Sequence, residues 1–456
     1  MVMNKKKIIG KNIDMTEGVV WKKLLLFALP LILGDFLQQL YSTVDSVIVG
    51  NFVGRAALAA VTSTETLINS IIGLFSGISM GSTIVIARYF GAKDDEHVSR
   101  SVHTTLTIAL IMGLLMTAVG ILLSPFLLTV LKTPDDVFPE ARRYLTIYFS
   151  GMMGLVIYNM SGGILRAVGD SVRPLTALVI TSVINIALDL VFVVALRMGV
   201  AGAAWATIIA IYISAAYLLF ILIRSAGSYH FSFRKLCYDK KIARMVYSIG
   251  VPNGIQKSVV AFANLFVISH INLFGSGASA GWGVFRKIDT LVMNIISNIG
   301  QSASTFVSQN IGARKPERIK TGTRFAVIFC FTVCVLLNIG LLLLRVPIIS
   351  LFTDDPDVIY YGSLAFSTAI MIQPANAITH TVSGVIRGYG DGKGPSCLTI
   401  LCMVILRQIY LNIGWTKVRS FVFAVSCYPF AWILNCLFIV IYYYYKKKKG
   451  QLKIAE

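Results

Sequence analysis

Long apolar runs separated by short basic stretches dominate this 456-residue chain. Nine runs extend for at least 20 residues without Asp, Glu, Lys or Arg: 66–87, 104–131, 144–165, 198–223, 258–285, 290–313, 325–344, 358–386 and 420–445. About 20 mostly apolar residues suffice for a helix to cross the hydrocarbon core. Three further apolar segments, 24–52, 174–196 and 394–416, are interrupted only by Asp35 and Asp45, by Asp189, and by Arg407. The pattern predicts an all-α integral membrane fold of twelve transmembrane helices. Helices and closed barrels alone satisfy backbone groups in lipid, and these runs far exceed the roughly ten alternating residues of a barrel strand.

Composition agrees: 56% of residues are hydrophobic and only 14% are charged, against about 25% charged in a soluble domain. That excludes a water-soluble enzyme and a disordered scaffold. The net charge of +20 would suggest nucleic acid in a soluble chain, but here the cations occupy the inter-span stretches and report orientation. With both termini cytoplasmic, the inside segments hold 29 Lys and Arg and the outside segments eight, the bias expected of a multi-pass plasma (inner) membrane protein. Four tyrosines at 442–445 run into four lysines at 446–449, which reads as an interfacial aromatic belt entering an anionic leaflet. The first 23 residues are basic and polar and read as an amphipathic leader, with no cleavable signal peptide. The seven cysteines fall mostly inside spans and imply no disulfide framework. Cys330 and Cys334 share a helix face as apolar packing residues.

The chain repeats itself. Leu165-Arg166-Ala167-Val168-Gly169-Asp170 returns as Ile386-Arg387-Gly388-Tyr389-Gly390-Asp391, at an offset of 221. Pro174 and Pro395, and Gly91-Ala92-Lys93 and Gly312-Ala313-Arg314, keep the same offset, while Pro30 and Pro252 stand 222 apart. Six spans per half is an even number, so the two six-helix repeats are parallel and related by a pseudo-twofold along the membrane normal. That arrangement marks secondary transporters with a central cavity and alternating access. The predicted organisation is a cytoplasmic segment 1–23, an N-lobe 24–223 (spans 1–6), a basic cytoplasmic linker 224–244, a C-lobe 245–445 (spans 7–12) and a basic tail 446–456. A pseudo-twofold within one chain already closes the cavity, so a monomer is expected.

Ionisable groups at membrane depth cost about 2.5–3.5 kcal/mol on insertion scales and are functional candidates by default. Gln38, Tyr41 and Asp45 fall within about 60° of one another on the first helix, above Pro30, which offers a hinge. Asn185 and Asp189, spaced i, i+4, share a face of the fifth span. If the two faces meet, Asp45, Asp189 and Asn185 form a buried acid pair with an amide beside it. Desolvation and repulsion then favour a protonated carboxyl, or the oxygens hold Na⁺. Asp289 can pair with Arg286 three residues earlier, Asp35 faces a neighbouring helix, and Glu65 reaches towards the outer interface. Lys257 and Arg407 have no carboxylate at i±3 or i±4, and either snorkel or make the second half cationic. Asn159, Gln373, Asn376 and His380 are further candidates for the cavity wall. No Walker loop, His-Glu-x-x-His or dinucleotide fingerprint occurs. Gly277-Ala278-Ser279-Ala280-Gly281 matches G-x-S-x-G by chance, in what reads as a small external loop without the strand–turn–helix context. The chain is thus read as no enzyme, with no cofactor.

These residues resemble the multidrug and toxic compound extrusion (MATE) transporters over roughly 20–445. The resemblance rests on Pro30 to Asp45 with Val44-Asp45-Ser46-Val47-Ile48-Val49-Gly50, on Gly81, Ala87-Arg88 and Gly91-Ala92-Lys93, on Ile164-Leu165-Arg166-Ala167-Val168-Gly169-Asp170, and on Asn185 with Leu188-Asp189. The second half adds Gln309-Asn310-Ile311-Gly312-Ala313 and Leu406-Arg407-Gln408, and Leu37-Gln38-Gln39-Leu40-Tyr41 is similar to a bacterial or archaeal branch. The resemblance implies two six-helix lobes and antiport of H⁺ or Na⁺ against small organic, cationic amphipathic substrates such as drugs or metabolites. It places the ion site at Asp45, Asp189 and Asn185, and a bend at Pro30. Some branches add acids in the seventh and tenth spans, where this sequence has Lys257 and the neutral Gln373, Asn376 and His380. The alternative is a flippase for an anionic lipid-linked precursor, favoured by Lys257 and Arg407 but expecting more spans and a strongly basic cavity.

Overall fold

The computed structural model describes residues 13–130 and 133–452. The cations in 1–12, Lys132 and Lys453, all counted in the orientation, lie outside the described residues, as does the side chain of Glu65. The described residues form helices and no strand, as backbone satisfaction in lipid requires. Eight of these helices are long and apolar enough to cross a membrane.

Helix–helix contacts divide the chain into two units. The first is Met1–Ser63 with Lys93–Asp239, and the second is Thr64–Ala92 with Lys240–Glu456. In chain order the first unit contains α1 (Val20–Phe52), the start of α2 (Arg55–Gly91), α3 (Asp95–Val130), α4 (Phe138–Ser150), α5 (Met152–Ala167), α6 (Val172–Asp189) and α7 (Val200–Arg224). The second contains the remainder of α2, then α8 (Lys240–Asn272), α9 (Ser276–Gly312), α10 (Pro316–Leu343), α11 (Arg345–Ser350), α12 (Pro356–Ala369), α13 (Pro374–Gly388), α14 (Lys393–Ile400), α15 (Arg407–Trp415) and α16 (Phe421–Lys448).

Two expected spans are broken helices. The run 144–165 divides at Gly151 between α4 and α5, where Ile208 fills the space a Cβ would need. The run 358–386 divides at Ile370–Ile372 before Pro374 opens α13, because proline lacks the N–H that would continue α12 and clashes with the carbonyl four residues back. The charge-free run 258–285 is not one span: it crosses the turn between α8 and α9. Absence of charge locates apolar surface and does not mark a helix end, so Lys257 and Arg286 lie well inside helices. Gly277 to Gly281 likewise form the opening turns of α9, not an external loop.

Small residues let helices of the second unit approach closely. Gly77 and Gly81 on α2 face Gly250 and Gly254 on α8, two small-xxx-small pairs whose backbones touch, the approach that lets helices pack without a hydrophobic driving force.

The repeated motif also has a physical reason. Gly169 (φ +86°) and Gly390 (φ +97°) take the left-handed conformation that ends the preceding helix. The Asp that follows each then receives the next helix. Asp170 accepts from the N–H of Val172 (3.2 Å) and Arg173 (3.0 Å), and Asp391 from that of Gly394 (2.9 Å). Asp391 also accepts from the Tyr442 hydroxyl (2.7 Å) and pairs with Lys446 (3.3 Å). Partial burial pushes its carboxyl up, but the Gly394 N–H, Tyr442 and Lys446 outweigh burial and hold it below the usual carboxylate range. A depressed pKa contributes stability that is present above the unfolded value, near 3.9, and lost as pH falls through the folded one. Asp391→Asn is therefore expected to lower the stability of the purified protein at pH 7 by about 2 kcal/mol. The mutant's melting temperature should then depend less on pH below about 4, as thermal denaturation across that range will show.

Candidate functional site

The first unit builds an acid pair. Asn185 and Asp189 sit on the buried face of α6, 1% and 0% exposed. Directly after Asp189 the helix widens into a π turn, Leu190–Ala195, a local departure frequent at functional sites. α1 packs on both α6 and this π turn, and the Asp45 carboxyl comes against that of Asp189. The Asn185 amide donates to the Thr207 hydroxyl of α7 at 3.4 Å. That leaves Asn185 Oδ1 and both Asp189 oxygens without a hydrogen-bond donor among the described residues. The site therefore presents three unmet oxygen acceptors, which suits one proton or one small cation.

The other candidates on α1 divide. Tyr41 joins the pair, with Asp45, Tyr148 and Tyr158 around it. Asp35 faces Tyr158 and Arg166 of α5. Gln38 lies on an exposed part of the helix, and Asn159 donates to Leu155 O of its own helix at 2.9 Å. Pro30 sits inside an uninterrupted α1. No group of three His, Cys, Asp or Glu positioned for a metal ion occurs among the described residues.

The second unit builds around α9. Asp289, 2% exposed, accepts from Arg286 Nη1 at 2.6 Å and from the Gln373 amide at 2.7 Å. Gln373 stands at the α12–α13 break, so the interrupted helix is what aims it. Asn376 points its amide towards Met293 Sδ at 3.8 Å. His380 has Arg387 and Lys257 as its charged neighbours, and Lys257 Nζ donates to Ser76 Oγ at 2.8 Å. Arg407, 1% exposed, donates from Nη1 to Asn264 Oδ1 at 2.9 Å and lies over the Tyr428 ring at 5.0 Å.

The MatE family profile matches residues 30–191 and again 252–413. The chain belongs to the MatE family. It is accordingly a multi-pass membrane transporter, not an enzyme, and the two matched segments coincide with the internal repeat. Among its relatives, "Probable multidrug resistance protein YpnP" of Bacillus subtilis is 26% identical over 397 residues, covering 87% of this chain and 89% of that one. "Probable multidrug resistance protein NorM" of Thermotoga maritima is 26% identical over 411 residues, covering 88% and 86%. A crystal structure of MATE in complex with MaL6 shares the fold at a TM-score of 0.90 and 22% identity, covering 98% of this chain and all of the other. A MOP superfamily transporter from Pyrococcus furiosus Vc1, for which reverse polarity of the binding pocket suggests a different function, gives 0.90 at 21% identity, covering 98% and 100%.

Two residue groups of this MatE chain were not legible from spacing. Gln373 and Asp289 are 84 residues apart, and Asn264 and Arg407 are 143 apart. Helix phase reports only partners within about a turn. The buried position of Arg407 was signalled by its charge within an apolar run; its partner Asn264 was not.

Proposed function

We propose that this MatE-family transporter is an ion-coupled antiporter that exports organic cations, drugs or metabolites by alternating access. Asp45, Asp189 and Asn185 bind the coupling ion, H⁺ or Na⁺. One observation carries the reading: a fully buried carboxyl, Asp189, has no hydrogen-bond donor on either oxygen among the described residues and lies against a second carboxyl, Asp45. Two adjoining buried carboxylates repel strongly in a low dielectric, and a proton or cation relieves the repulsion. Binding the ion and releasing it leave the α1–α6 contact in two different energetic states, which is what an alternating transporter needs. Tyr41 and its tyrosine neighbours supply the apolar and π surface that suits a lipophilic cation. The names of the YpnP and NorM relatives agree with multidrug export. The cation bias supports a plasma membrane location with both termini cytoplasmic, and the duplicated halves support a monomer.

The test is efflux of a fluorescent lipophilic cation from vesicles reconstituted with the purified protein. An imposed pH gradient, an imposed Na⁺ gradient and no gradient are compared, with Asp45→Asn alongside. Transport driven by one gradient and abolished in Asp45→Asn is expected, and the active gradient names the ion. Folded protein that transports under neither gradient would overturn the reading and turn attention to lipid-linked anionic cargo.

A further inference from the structure

The two repeats do not carry the same charges. The matched segments begin at Pro30 and Pro252, and at that spacing Lys257 stands where the first repeat has Asp35. α2 and α9 are both 37 residues long and end at Gly91 and Gly312, which puts Arg286 at the position of Glu65. The third case is Arg407. It follows a π turn, Leu401–Leu406, and such a turn adds one residue to a helix. The offset accordingly moves from 221 at Pro174 and Pro395 to 222 at the segment ends, 191 and 413, and Arg407 falls at the position of Asn185. Two acids and an amide have become three cations. The ion-site acids Asp45 and Asp189 meanwhile correspond to the apolar Val267 and Leu411.

The geometry around these cations is that of a receptor for negative charge. Arg407 is 1% exposed. Its Nη1 is anchored by Asn264 Oδ1 at 2.9 Å, and its Cζ lies over the Tyr428 ring, 5.0 Å from the centroid. Its Nε and Nη2 have no hydrogen-bond partner among the described residues. Those two nitrogens form one edge of the guanidinium, with parallel N–H vectors spaced to grip both oxygens of a carboxylate or phosphate. Tyr428 also carries Arg286, at 5.8 Å. Asp289, the carboxylate beside Arg286, takes Arg286 on Oδ2 and Gln373 on Oδ1 and is not a hydrogen-bond partner of the Arg407 Nε or Nη2. One repeat position confirms the sign: in the first unit Arg166 faces Asp35, whereas its counterpart Arg387 and Lys257 are the charged neighbours of His380. Asn264 lies two turns beyond Lys257 on α8, on the same side.

We propose that the second unit holds an oxyanion site in which the Nε/Nη2 edge of Arg407 binds a carboxylate or phosphate group bidentately. Asn264 and Tyr428 orient that edge, and Lys257 and Arg387 add positive charge along the approach. Trp282 and Trp432 ring Tyr428 at centroid distances of 5.3 and 6.0 Å, so the group is carried on an apolar or aromatic body. The edge is closed to solvent in this conformation, and the ligand enters when the unit opens. A buried guanidinium with one edge unpaired is destabilised; the ligand supplies the missing acceptors.

The inference goes beyond the ion-coupling reading and does not depend on it, since it concerns equilibrium binding without a gradient. Purified full-length protein in detergent is titrated by calorimetry with phenylacetate, with phenyl phosphate and, as a cation control, with phenethylammonium. Binding of phenylacetate or phenyl phosphate is expected, and which of the two binds separates a carboxylate from a phosphate ligand. Arg407→Lys keeps the charge but loses the planar edge, so it should weaken that binding at least about ten-fold, and Arg407→Gln should abolish it. Asn264→Ala, a milder change at a partly buried site, should weaken it to a lesser degree. Phenethylammonium binding should not follow this order. Failure of the wild-type protein to bind either anion up to about 10 mM, a ceiling of roughly 2.7 kcal/mol, would overturn the proposal whether or not the variants fold. So would anion binding by folded Arg407→Lys and Arg407→Gln as tight as that of the wild type.

Discussion

Asp189→Asn is expected to abolish gradient-driven transport while leaving the protein at least as stable as the wild type. The two halves of that result come from one geometry. Asn has nearly the volume of Asp, so the packing of α6 against α1 survives. The substitution removes one of two adjoining carboxyls at a fully buried position. Whatever repulsion or bound ion that pair sustains disappears with it. A gain on the order of 1 kcal/mol follows for the empty protein near neutral pH, and a site that trades stability for function typically behaves this way. Transport should fall to the passive leak, because the neutral amide neither takes up a proton nor supplies the negative charge that holds a cation. Efflux from vesicles and thermal denaturation of the same preparation check both halves. A mutant that retains coupled efflux would remove Asp189 from the mechanism. One that is inactive because it is unfolded would show that the carboxyl is structural.

Gly254→Leu should have the opposite character: a large loss of stability with no chemistry involved. A side chain at Gly254 runs into the backbone of Leu74 on α2, and one at Gly77 runs into Gly250 and Gly254. Backbone cannot swing aside as a side chain can. Alanine at either position is expected to cost roughly 1–3 kcal/mol, and leucine more, enough to prevent recovery of folded protein. Gly340 is the control, since a Cβ there meets nothing within 4 Å. Gly340→Ala should be neutral or stabilise by up to about 1 kcal/mol through helix propensity. Monodispersity and melting of the detergent-purified variants decide it. If Gly254→Leu melts like the wild type, the α2–α8 approach is looser than the structure has it.

The acid pair was legible because charge is rare in these spans: three of the four interrupted positions, Asp35, Asp45 and Asp189, lie in two helices that pack on each other. Helix phase put Asn185 beside Asp189 and Tyr41 beside Asp45, and both placements agree with the structure. The same phase put Gln38 with them, yet Gln38 lies on an exposed part of α1. A 60° sector is wider than the strip one neighbouring helix covers. Charge-free runs failed in another way, fusing the end of α8 with the start of α9. A turn needs only glycine and a polar residue, here Asn272 to Gly275, and no charge.

What the sequence determined by itself is what depends on the solvent and on local geometry. Apolar length demands helices in lipid, the repeat sets two matching halves, and Gly169-Asp170 and Gly390-Asp391 encode their own turns. What only the tertiary structure decided is which distant groups meet and which are left unmet. Gln373 finds Asp289 because α12 breaks before Pro374, and Arg407 is turned by a π turn so that Asn264 takes one nitrogen and leaves an edge open. Helix periodicity fixes the direction of a side chain relative to its own axis; the partner it reaches depends on how separate axes pack, and that packing is set by many contacts spread along the chain.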